Sequence, residues 1–545
     1  MYWSVGRPHP PIASRWAPPS PSGERWAVAP PHPLRHHDSL ATIYRKGPAL
    51  IRRIPLLLAS AMLVAAAPKT DMATRILPPP AAPGEAVKPF VKVPAGKIAL
   101  AHVRVIDGTG APAVEDRTLL IDGGRIVAVQ AGGDAVPAGY AVTDLTGHSV
   151  MPGIVGMHDH QYYIARPDLD SAGHSEPPLM VPQMAFSSPR LYLASGVTTL
   201  RTTGSVEPYT DLNMKAAIDA GTLPGPHMDV TGPYLEGSGS PFLQMHPLKD
   251  AADATRTVNF WADQGVTSFK AYMNISRAEL KAAIDAAHAR GIKVTGHLCS
   301  VTYAEAAELG IDNLEHGFTV NTALDPGKTP DTCTAGDGEE TLRAMTPGGP
   351  EAKALIALLV SHHVAVTSTL PVFEAWSPNY RTLPPRQLAL MSPGAQTDYF
   401  YIRTLGLTRK PERVAQMRLM WANALKMERD FVAAGGLLLA GPDPTGGGQV
   451  LPGFGDQREI ELLVEAGFSP TEAIRIATLN GATYLGIADR IGSIAPGKNA
   501  DLVVVKGDPS ARIADIENVV TVFKDGVGYD PAPLLASVRG RYGQY

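Results

Sequence analysis

The sequence has little cysteine and no excess of charge of either sign. It contains only two cysteines, Cys299 and Cys333, in 545 residues, too few for a disulfide framework or a thiolate zinc site. The sequence does not decide whether these two pair with each other. A formal net charge of −4, with lysine and arginine scattered along the chain, argues against nucleic-acid binding. The chain also lacks a Gly-x-Ser-x-Gly motif, which argues against a serine hydrolase of the nucleophile-elbow type.

The N-terminal region differs in composition from the remainder. Residues 1–50 are rich in proline, arginine and histidine without apolar periodicity, which is typical of a disordered or non-native extension. Residues 51–67 combine a basic flank, a short apolar run and small residues, the pattern of a signal peptide cleaved near Ala67. That run is too short for a stable membrane span, so we expect a periplasmic or secreted protein without a membrane anchor. Residues 68–96 follow as a proline-rich linker.

Strand-rich segments stand at both ends of the remaining chain. Short strands with glycine-containing turns are predicted over residues 97–150, and matching strands return over residues 488–535. Between them, residues 151–487 alternate short apolar strands with amphipathic helices. We therefore predict an α/β fold, a (β/α)8 TIM barrel with a small β-sandwich formed by both ends of the mature chain. Residues 317–350, rich in glycine, proline and threonine, are expected to be a long loop above the barrel.

Histidine, lysine and aspartate recur where predicted barrel strands end. His158 and His160 end the predicted first strand, residues 150–157, at a spacing that directs both imidazoles to one face. The other members end four later strands: Lys270, His297, His316 and Asp443. Because the carboxyl ends of all strands in a TIM barrel meet on the face that carries active sites, we expect these six residues to surround one cavity. Imidazole and carboxylate groups are typical zinc ligands.

These residues and their neighbours resemble the amidohydrolase superfamily, in its imidazolonepropionase-like and prolidase-like (Xaa-Pro or Xaa-Arg dipeptidase-like) branch. The similar segments are Phe269-Lys-Ala-Tyr272, Thr295-Gly-His-Leu298, Leu314-Glu-His-Gly317 and Ala440-Gly-Pro-Asp443. The segment Arg201-Thr-Thr-Gly204 departs from the pattern, because relatives often carry an aspartate after the arginine. The resemblance extends from about Lys97 to Gly526.

The resemblance implies a site for two divalent metal ions. His158, His160 and Asp443 would hold one ion, and His297 and His316 would hold the other. Zinc is the default for histidine and carboxylate ligands, although manganese, cobalt and iron also suit such sites.

The chemistry implied is hydrolysis of a carbon–nitrogen bond. Lys270, carbamylated by carbon dioxide, would bridge the two ions, because the resulting anion offsets their charge. A metal-bridging hydroxide would attack the amide of a dipeptide or an N-acyl amino acid, and Asp443 would carry the proton to the leaving nitrogen. The same site also suits a lactonase, a carboxylesterase, a phosphotriesterase or a cyclic-amide hydrolase. A mononuclear deaminase would leave Lys270 without a role, and a non-catalytic binding protein is at odds with a complete ligand set.

Three further residues are candidates for contact with a small-molecule substrate. Tyr272 lies two residues beyond Lys270 and shares its inward face, so it would touch the scissile carbonyl or simply pack at the barrel rim. Tyr234 and His246, in the loop after the third strand, would line the pocket or serve as ordinary loop residues. The sequence identifies neither the substrate nor the oligomeric state, although related barrels often form homo-oligomers.

Overall fold

The computed structural model describes residues 71–164, 181–240, 242–334, 336–377, 380–445 and 449–543. The predicted N-terminal extension, residues 1–50, and the predicted signal peptide, residues 51–67, lie outside these ranges, so both stay predictions. Within the described ranges, no helix is both long enough and apolar enough to cross a membrane.

The described strands are, in chain order, β1 (Val91–Val93), β2 (Ile98–Val105), β3 (Val114–Asp122), β4 (Arg125–Ala131), β5 (Ala141–Asp144), β6 (His148–Pro152), β7 (Ile154–Gly156), β8 (Val197–Arg201), β9 (His227–Asp229), β10 (Ser268–Ala271), β11 (Lys293–Gly296), β12 (Asn313–Glu315), β13 (Ala365–Ser368), β14 (Leu438–Ala440), β15 (Leu502–Lys506), β16 (Val519–Lys524) and β17 (Val527–Tyr529).

The described α-helices are α1 (Met72–Ile76), α2 (Ser187–Ala194), α3 (Pro208–Asp219), α4 (Ala251–Gln264), α5 (Arg277–His288), α6 (Tyr303–Leu309), α7 (Glu339–Ala344), α8 (Pro350–Ser361), α9 (Leu370–Trp376), α10 (Pro385–Leu388), α11 (Pro393–Leu407), α12 (Pro411–Ala433), α13 (Phe454–Glu465), α14 (Pro470–Arg475), α15 (Gly481–Tyr484) and α16 (Pro531–Val538). Short 3-10 helices span Lys88–Phe90 and Ile513–Glu517, and a π-helical turn, Ile476–Asn480, joins α14 to α15.

Strands from both ends of the described chain form one nine-stranded sheet. Its order is β1-β17-β16-β15-β6-β2-β3-β4, and β5 pairs with β2. β2 changes partner near His102, which has a left-handed φ of 56°: residues 98–101 pair with β5, and Arg104 and Val105 pair with β6. The predicted linker, residues 68–96, is corrected here, because it contains α1 and because β1 pairs with β17 at the edge of this sheet.

Eight shorter strands run parallel, three in a sheet of order β7-β8-β9 and five in a sheet of order β10-β11-β12-β13-β14. Hydrogen bonds join the two sheets: Thr267 N donates to Val230 O and Met157 N donates to Ala440 O, each at 2.8 Å. Helices alternate with these strands along the chain, so the mixed α/β fold predicted from the sequence is confirmed.

The predicted first strand, residues 150–157, is divided between two sheets. β6 belongs to the nine-stranded sheet and β7 to the three-stranded sheet, with Gly153 between them. A Cβ atom at Gly153 would lie 2.0 Å from Thr198 Oγ1, so a larger residue has no room at this crossing. The sequence prediction missed the division because residues 150–157 contain no polar side chain that would mark a boundary.

Residues 317–350, predicted as a long loop, contain α7 and are anchored at several points. Cys299 and Cys333 form a disulfide, with their Cα atoms 4.8 Å apart. The Asp325 carboxylate accepts hydrogen bonds from Gly338 N and Thr341 N at the start of α7, and each is 3.0 Å long. The disulfide therefore links this segment covalently to the chain just after β11, and the buried carboxylate of Asp325 holds two parts of the segment together.

The long helix α12 buries a carboxyl group against β13. Glu428 is 2% exposed, and its Oε2 accepts a hydrogen bond from Ser368 Oγ over 2.9 Å. Burial raises the pKa of Glu428 to about 8, and the hydrogen bond from Ser368 opposes part of this rise. Folding therefore favours the protonated side chain at neutral pH.

We expect Glu428→Gln to be more stable than the wild type at about pH 9 and to lose this advantage towards about pH 5. In the unfolded chain the carboxyl ionises near its ordinary pKa, whereas folded Glu428 keeps its proton up to about pH 8. The unfolded state therefore binds fewer protons between these values, and wild-type stability falls as the pH rises through this window. Urea unfolding across the pH range measures the effect, with the exposed Glu412→Gln on the same helix as the control. Parallel pH profiles for wild type and Glu428→Gln would contradict the prediction.

Candidate metal centre

Four buried histidines meet at the carboxyl ends of the parallel strands. His158 and His160 follow β7, His297 follows β11 and His316 follows β12. The ring centroids are 5.2 Å apart for His158 and His160, 4.6 Å for His158 and His316, and 4.4 Å for His297 and His316. None of the four residues is more than 3% exposed.

Asp443 and Lys270 lie against these rings. Asp443 Oδ1 is 3.1 Å from His160 Nε2 and 3.5 Å from His158 Nε2, and Oδ2 is 3.9 Å from His316 Nδ1. Lys270, on β10, places its Nζ 3.1 Å from His158 Nε2. The structure thus brings together all six residues that the sequence analysis selected.

Two of these residues have an unusual backbone conformation. His316 has a φ of 70° and Asp443 a φ of 51°, in the left-handed region that non-glycine residues seldom adopt. At His316 the turn breaks the regular alternation of β12, so that both Glu315 and His316 contact His158. Backbone strain of this kind is concentrated at functional sites in proteins.

The histidine and aspartate atoms offer a donor set for a divalent metal ion. His158, His160 and Asp443 present ligand atoms that all lie within 4.8 Å of one another. Within the described structure, His316 Nε2 is buried without a hydrogen-bond partner, while Nδ1 lies 2.9 Å from Thr369 Oγ1. A buried nitrogen without a partner is costly unless a ligand satisfies it. The residues present therefore fit a metal ion.

The protonation states also suit metal binding. Burial, reinforced by neighbouring positive groups, holds the pKa of His158, His297 and His316 well below the ordinary value, which leaves neutral imidazoles. Burial alone would raise the pKa of Asp443, but the adjacent histidines and Lys270 lower it to about 2. Burial lowers the pKa of Lys270 to about 8, although Glu315 and Asp443 oppose this shift.

Behind the histidines lies a buried ion pair that the sequence analysis did not assign to the site. Glu315 Oε2 accepts a hydrogen bond from His158 Nδ1, and Glu315 Oε1 accepts one from Arg201 Nη2. Each of these bonds is 2.7 Å long. Arg201 also donates to Asn313 Oδ1 over 2.8 Å and to Met157 O over 2.6 Å. With its Nδ1 held by Glu315, His158 presents Nε2 to the cavity. The polar residues at i and i+2 of β12, Asn313 and Glu315, are the signal that would have revealed this layer.

A cavity with an aromatic wall is lined by five of the six residues, all except His158. Tyr234 and Tyr272 both line it, with ring centroids 4.8 Å apart. Tyr162, which the sequence analysis missed, lies with its ring centroid 4.4 Å from that of His160 and shares a 2.6 Å hydrogen bond with the Tyr234 hydroxyl. The cavity is therefore closed on this side by three tyrosines.

The prediction that His246 lines the cavity is wrong. His246 is exposed to solvent and is absent from the cavity wall. Phe242 and Met245, from the same loop, are buried and line the cavity instead. Phe242 and Met245 turn inward because burial stabilises them, while the histidine remains hydrated.

A buried histidine and aspartate cluster at the ends of parallel strands defines a metal-binding α/β enzyme. The chain belongs to the amidohydrolase family, which it matches over residues 149–362 and 449–527. Members of this family hydrolyse carbon–nitrogen bonds.

Among the relatives that share short segments with this chain are an adenine deaminase and an imidazolonepropionase. Adenine deaminase from Desulfatibacillum aliphaticivorans is 43% identical over 72 residues, which are 13% of this chain and 12% of that protein. Imidazolonepropionase from Porphyromonas gingivalis is 32% identical over 110 residues, 19% of this chain and 26% of that protein. Each alignment therefore spans about a quarter or less of the relative's own length.

The fold as a whole is similar to that of a solved Xaa-Pro dipeptidase with bound methionine in its active site. The two structures superpose with a TM-score of 0.58 over 80% of this chain and 100% of the dipeptidase, at 21% sequence identity. At this level of identity the likeness shows a shared fold.

We expect Glu315→Gln to weaken metal retention by about 10- to 100-fold, the usual effect of losing a carboxylate that orients a ligand histidine. The amide does not hold the His158 Nδ1 proton as a carboxylate does, so the ring loses its fixed orientation. Zinc content after dialysis against graded chelator concentrations, measured well below the melting temperature, reports the change. Glu308→Gln, at an exposed position on α6, is the matched control. Equal zinc retention in Glu315→Gln and wild type would refute the orienting role.

Proposed function

We propose that the chain is a binuclear metal-dependent amidohydrolase that cleaves an amide bond in a small substrate, such as a dipeptide or an N-acyl amino acid. One observation carries the proposal, the convergence at one site of six residues from the ends of five strands: His158, His160, Lys270, His297, His316 and Asp443. In this proposal the eight parallel strands form a (β/α)8 barrel over residues 151–487, supported by the hydrogen bonds that join the two parallel sheets. The change of partner along β2 supports a small β-sandwich over residues 97–150 and 488–535.

The metal ions would be divalent, with zinc as the default and manganese, cobalt or iron as alternatives. They would be held by four histidines and one aspartate: His158, His160 and Asp443 for one ion, His297 and His316 for the other. When bound, the ions supply Lewis acidity and lower the pKa of water. Lys270, as a carbamate, would supply a negatively charged ligand shared by the two sets of metal ligands. An unmodified ammonium group 3.1 Å from His158 Nε2 would instead repel cations there.

The side chains around the cavity have separable roles in this reaction. Asp443, anionic at neutral pH, would accept the proton of the attacking water and pass it to the leaving nitrogen. Glu315 would keep His158 oriented throughout. Tyr234 and Tyr272 would position the substrate, because both line the cavity beside Lys270.

We also propose that the protein is periplasmic or secreted. The disulfide between Cys299 and Cys333 supports this location, because disulfides persist mainly in oxidising compartments. Expression of the full chain in a Gram-negative host, followed by cell fractionation and N-terminal sequencing, tests the proposal. We expect mature protein in the periplasm with a new N-terminus near residue 68. Uncleaved protein confined to the cytoplasm would contradict it.

Turnover of a mixed substrate panel tests the proposed reaction. Protein reconstituted with zinc and bicarbonate is assayed on Xaa-Pro and Xaa-Arg dipeptides, N-acyl amino acids, lactones, aryl esters and a phosphotriester. We expect amide hydrolysis that chelation abolishes and that Asp443→Asn lowers by about 10²- to 10⁴-fold, the usual contribution of a proton-transfer group. Asp285→Asn, at an exposed position on α5, is the control.

The panel separates the competing interpretations of the site. Activity confined to lactones or esters would contradict amide hydrolysis while keeping the metal centre. The absence of both activity and bound metal would overturn the enzymatic proposal.

A further inference from the structure

A second group of buried side chains that can bind metal lies away from the candidate metal centre. It consists of His227, Asp501 and Asp525, which present a nitrogen and two carboxylate oxygens within 4.8 Å of one another. His227 is the first residue of β9, whereas the candidate metal centre is built at the carboxyl ends of the parallel strands. The two groups therefore lie at opposite ends of these strands. We refer to the second group below as the amino-end cluster.

The two aspartates of the amino-end cluster come from the nine-stranded sheet. Asp501 directly precedes β15, and Asp525 lies in the turn between β16 and β17 with a left-handed φ of 52°. The Asp525 N–H donates a 2.6 Å hydrogen bond to Asp501 Oδ1, which fixes the turn against the start of β15. The cluster therefore brings the nine-stranded sheet together with the amino end of β9.

Three polar atoms of the amino-end cluster are buried without a hydrogen bond. His227 is 2% exposed and Asp501 is 3% exposed. Within the described structure, neither ring nitrogen of His227 has a hydrogen-bond partner, and Asp501 Oδ2 has none either. Buried polar atoms are costly unless a ligand satisfies them. Three such atoms in one cluster therefore point to a bound ion.

The spacing of the amino-end cluster suits one metal ion. His227 Nε2 lies 3.0 Å from Asp525 Oδ2. Two ligands bound to a tetrahedral zinc ion at the usual distances are about 3.3–3.6 Å apart, so only a small shift of either side chain is needed. His227 and Asp525 also line a cavity with room for water, and a water molecule would complete the coordination of an ion held by three side chains.

Three cationic side chains lie near the amino-end cluster, and two of them have other partners. Lys215 pairs with Asp219 at 2.9 Å on α3, and Arg490 donates to a backbone carbonyl at 2.8 Å. Lys524, next to Asp525 in sequence, is buried, and this burial lowers its pKa although nearby carboxylates oppose the shift. A lowered pKa makes the neutral amine easier to form, so Lys524 opposes a bound cation less than an exposed lysine would.

The competing interpretation of the amino-end cluster is a proton in place of the metal ion. Burial and the neighbouring Asp525 raise the pKa of Asp501 to about 8, which favours the protonated carboxyl at neutral pH. Burial also lowers the pKa of His227 and keeps its imidazole in the neutral form that binds metals. Metal binding would therefore release a proton from Asp501, and an experiment must separate the two occupants.

We propose that His227, Asp501 and Asp525 bind one divalent metal ion, with zinc as the ion that this ligand set favours. Because its ligands come from different sheets, the ion would hold β9 against the nine-stranded sheet. It would be additional to the ions of the candidate metal centre, so the inference does not depend on the proposed reaction.

Asp501→Asn tests the site with little change of shape. The asparagine keeps an Oδ1 that accepts the hydrogen bond from Asp525 N, but it lacks the second anionic oxygen. The full chain is equilibrated with zinc alone, dialysed and analysed for zinc per chain. We expect Asp501→Asn and His227→Ala each to hold one zinc ion fewer than the wild type, whatever number the candidate metal centre holds. Asp489→Asn, at an exposed position, is the matched control.

Thermal unfolding shows whether the ion stabilises the fold. His160→Ala/His316→Ala serves as the parent protein, because it removes a histidine from each set of ligands at the candidate metal centre. We expect zinc to raise the Tm of this parent, since a ligand that binds only the folded state stabilises it. Adding Asp501→Asn should abolish the rise.

The outcomes separate this inference from the proposed function. Equal zinc content in wild type, Asp501→Asn and His227→Ala, or a zinc-dependent rise in Tm that survives Asp501→Asn, would overturn the metal site and leave the proposed function standing. Loss of one zinc ion in both variants of a protein that hydrolyses no amide would support the site while contradicting the proposed reaction.

Discussion

The ion pair between Arg201 and Glu315 is the interaction on which the candidate metal centre depends. Both side chains are at most 1% exposed, so each charge relies on the other and on the hydrogen bonds that Asn313 and Met157 O accept. Removing either partner would leave an uncompensated charge among parallel strands. The pair also fixes β8 against β12, and through Glu315 it sets the direction of His158. Scaffold and site are therefore stabilised by the same few atoms.

Much of the site could be predicted because its residues follow apolar strands. His158, Lys270 and the other candidate ligands stand in the sequence where an apolar strand ends. Parallel strands bring those ends together. The left-handed backbone at His316 and Asp443 could not be predicted, because alternation along a strand says nothing of a turn at its end. Regular alternation would also place Glu315 on the opposite face from His316, the next residue, so Glu315 was not assigned to the site.

Other parts of the fold depend on contacts distant in sequence, and local composition does not reveal these. Residues 317–350 have the glycine and proline content of a free loop, yet a disulfide to Cys299 and the carboxylate of Asp325 hold them in place. The loop that carries His246 shows the converse: the histidine was a candidate for the cavity wall, but the buried Phe242 and Met245 of the same loop line the cavity instead. Polar residues near an active site are informative only where the backbone that carries them is already fixed.

The nine-stranded sheet has a consequence for how the chain is made. β6 leads directly into β7, beside the first histidines, and its neighbour β15 is synthesised hundreds of residues later. Most of the parallel strands therefore leave the ribosome before the sheet that anchors their first member is complete. Folding that requires pairing between such remote segments is slow, since the long intervening loop must be closed first. The nascent chain must therefore remain incompletely folded until almost its last strands have been translated.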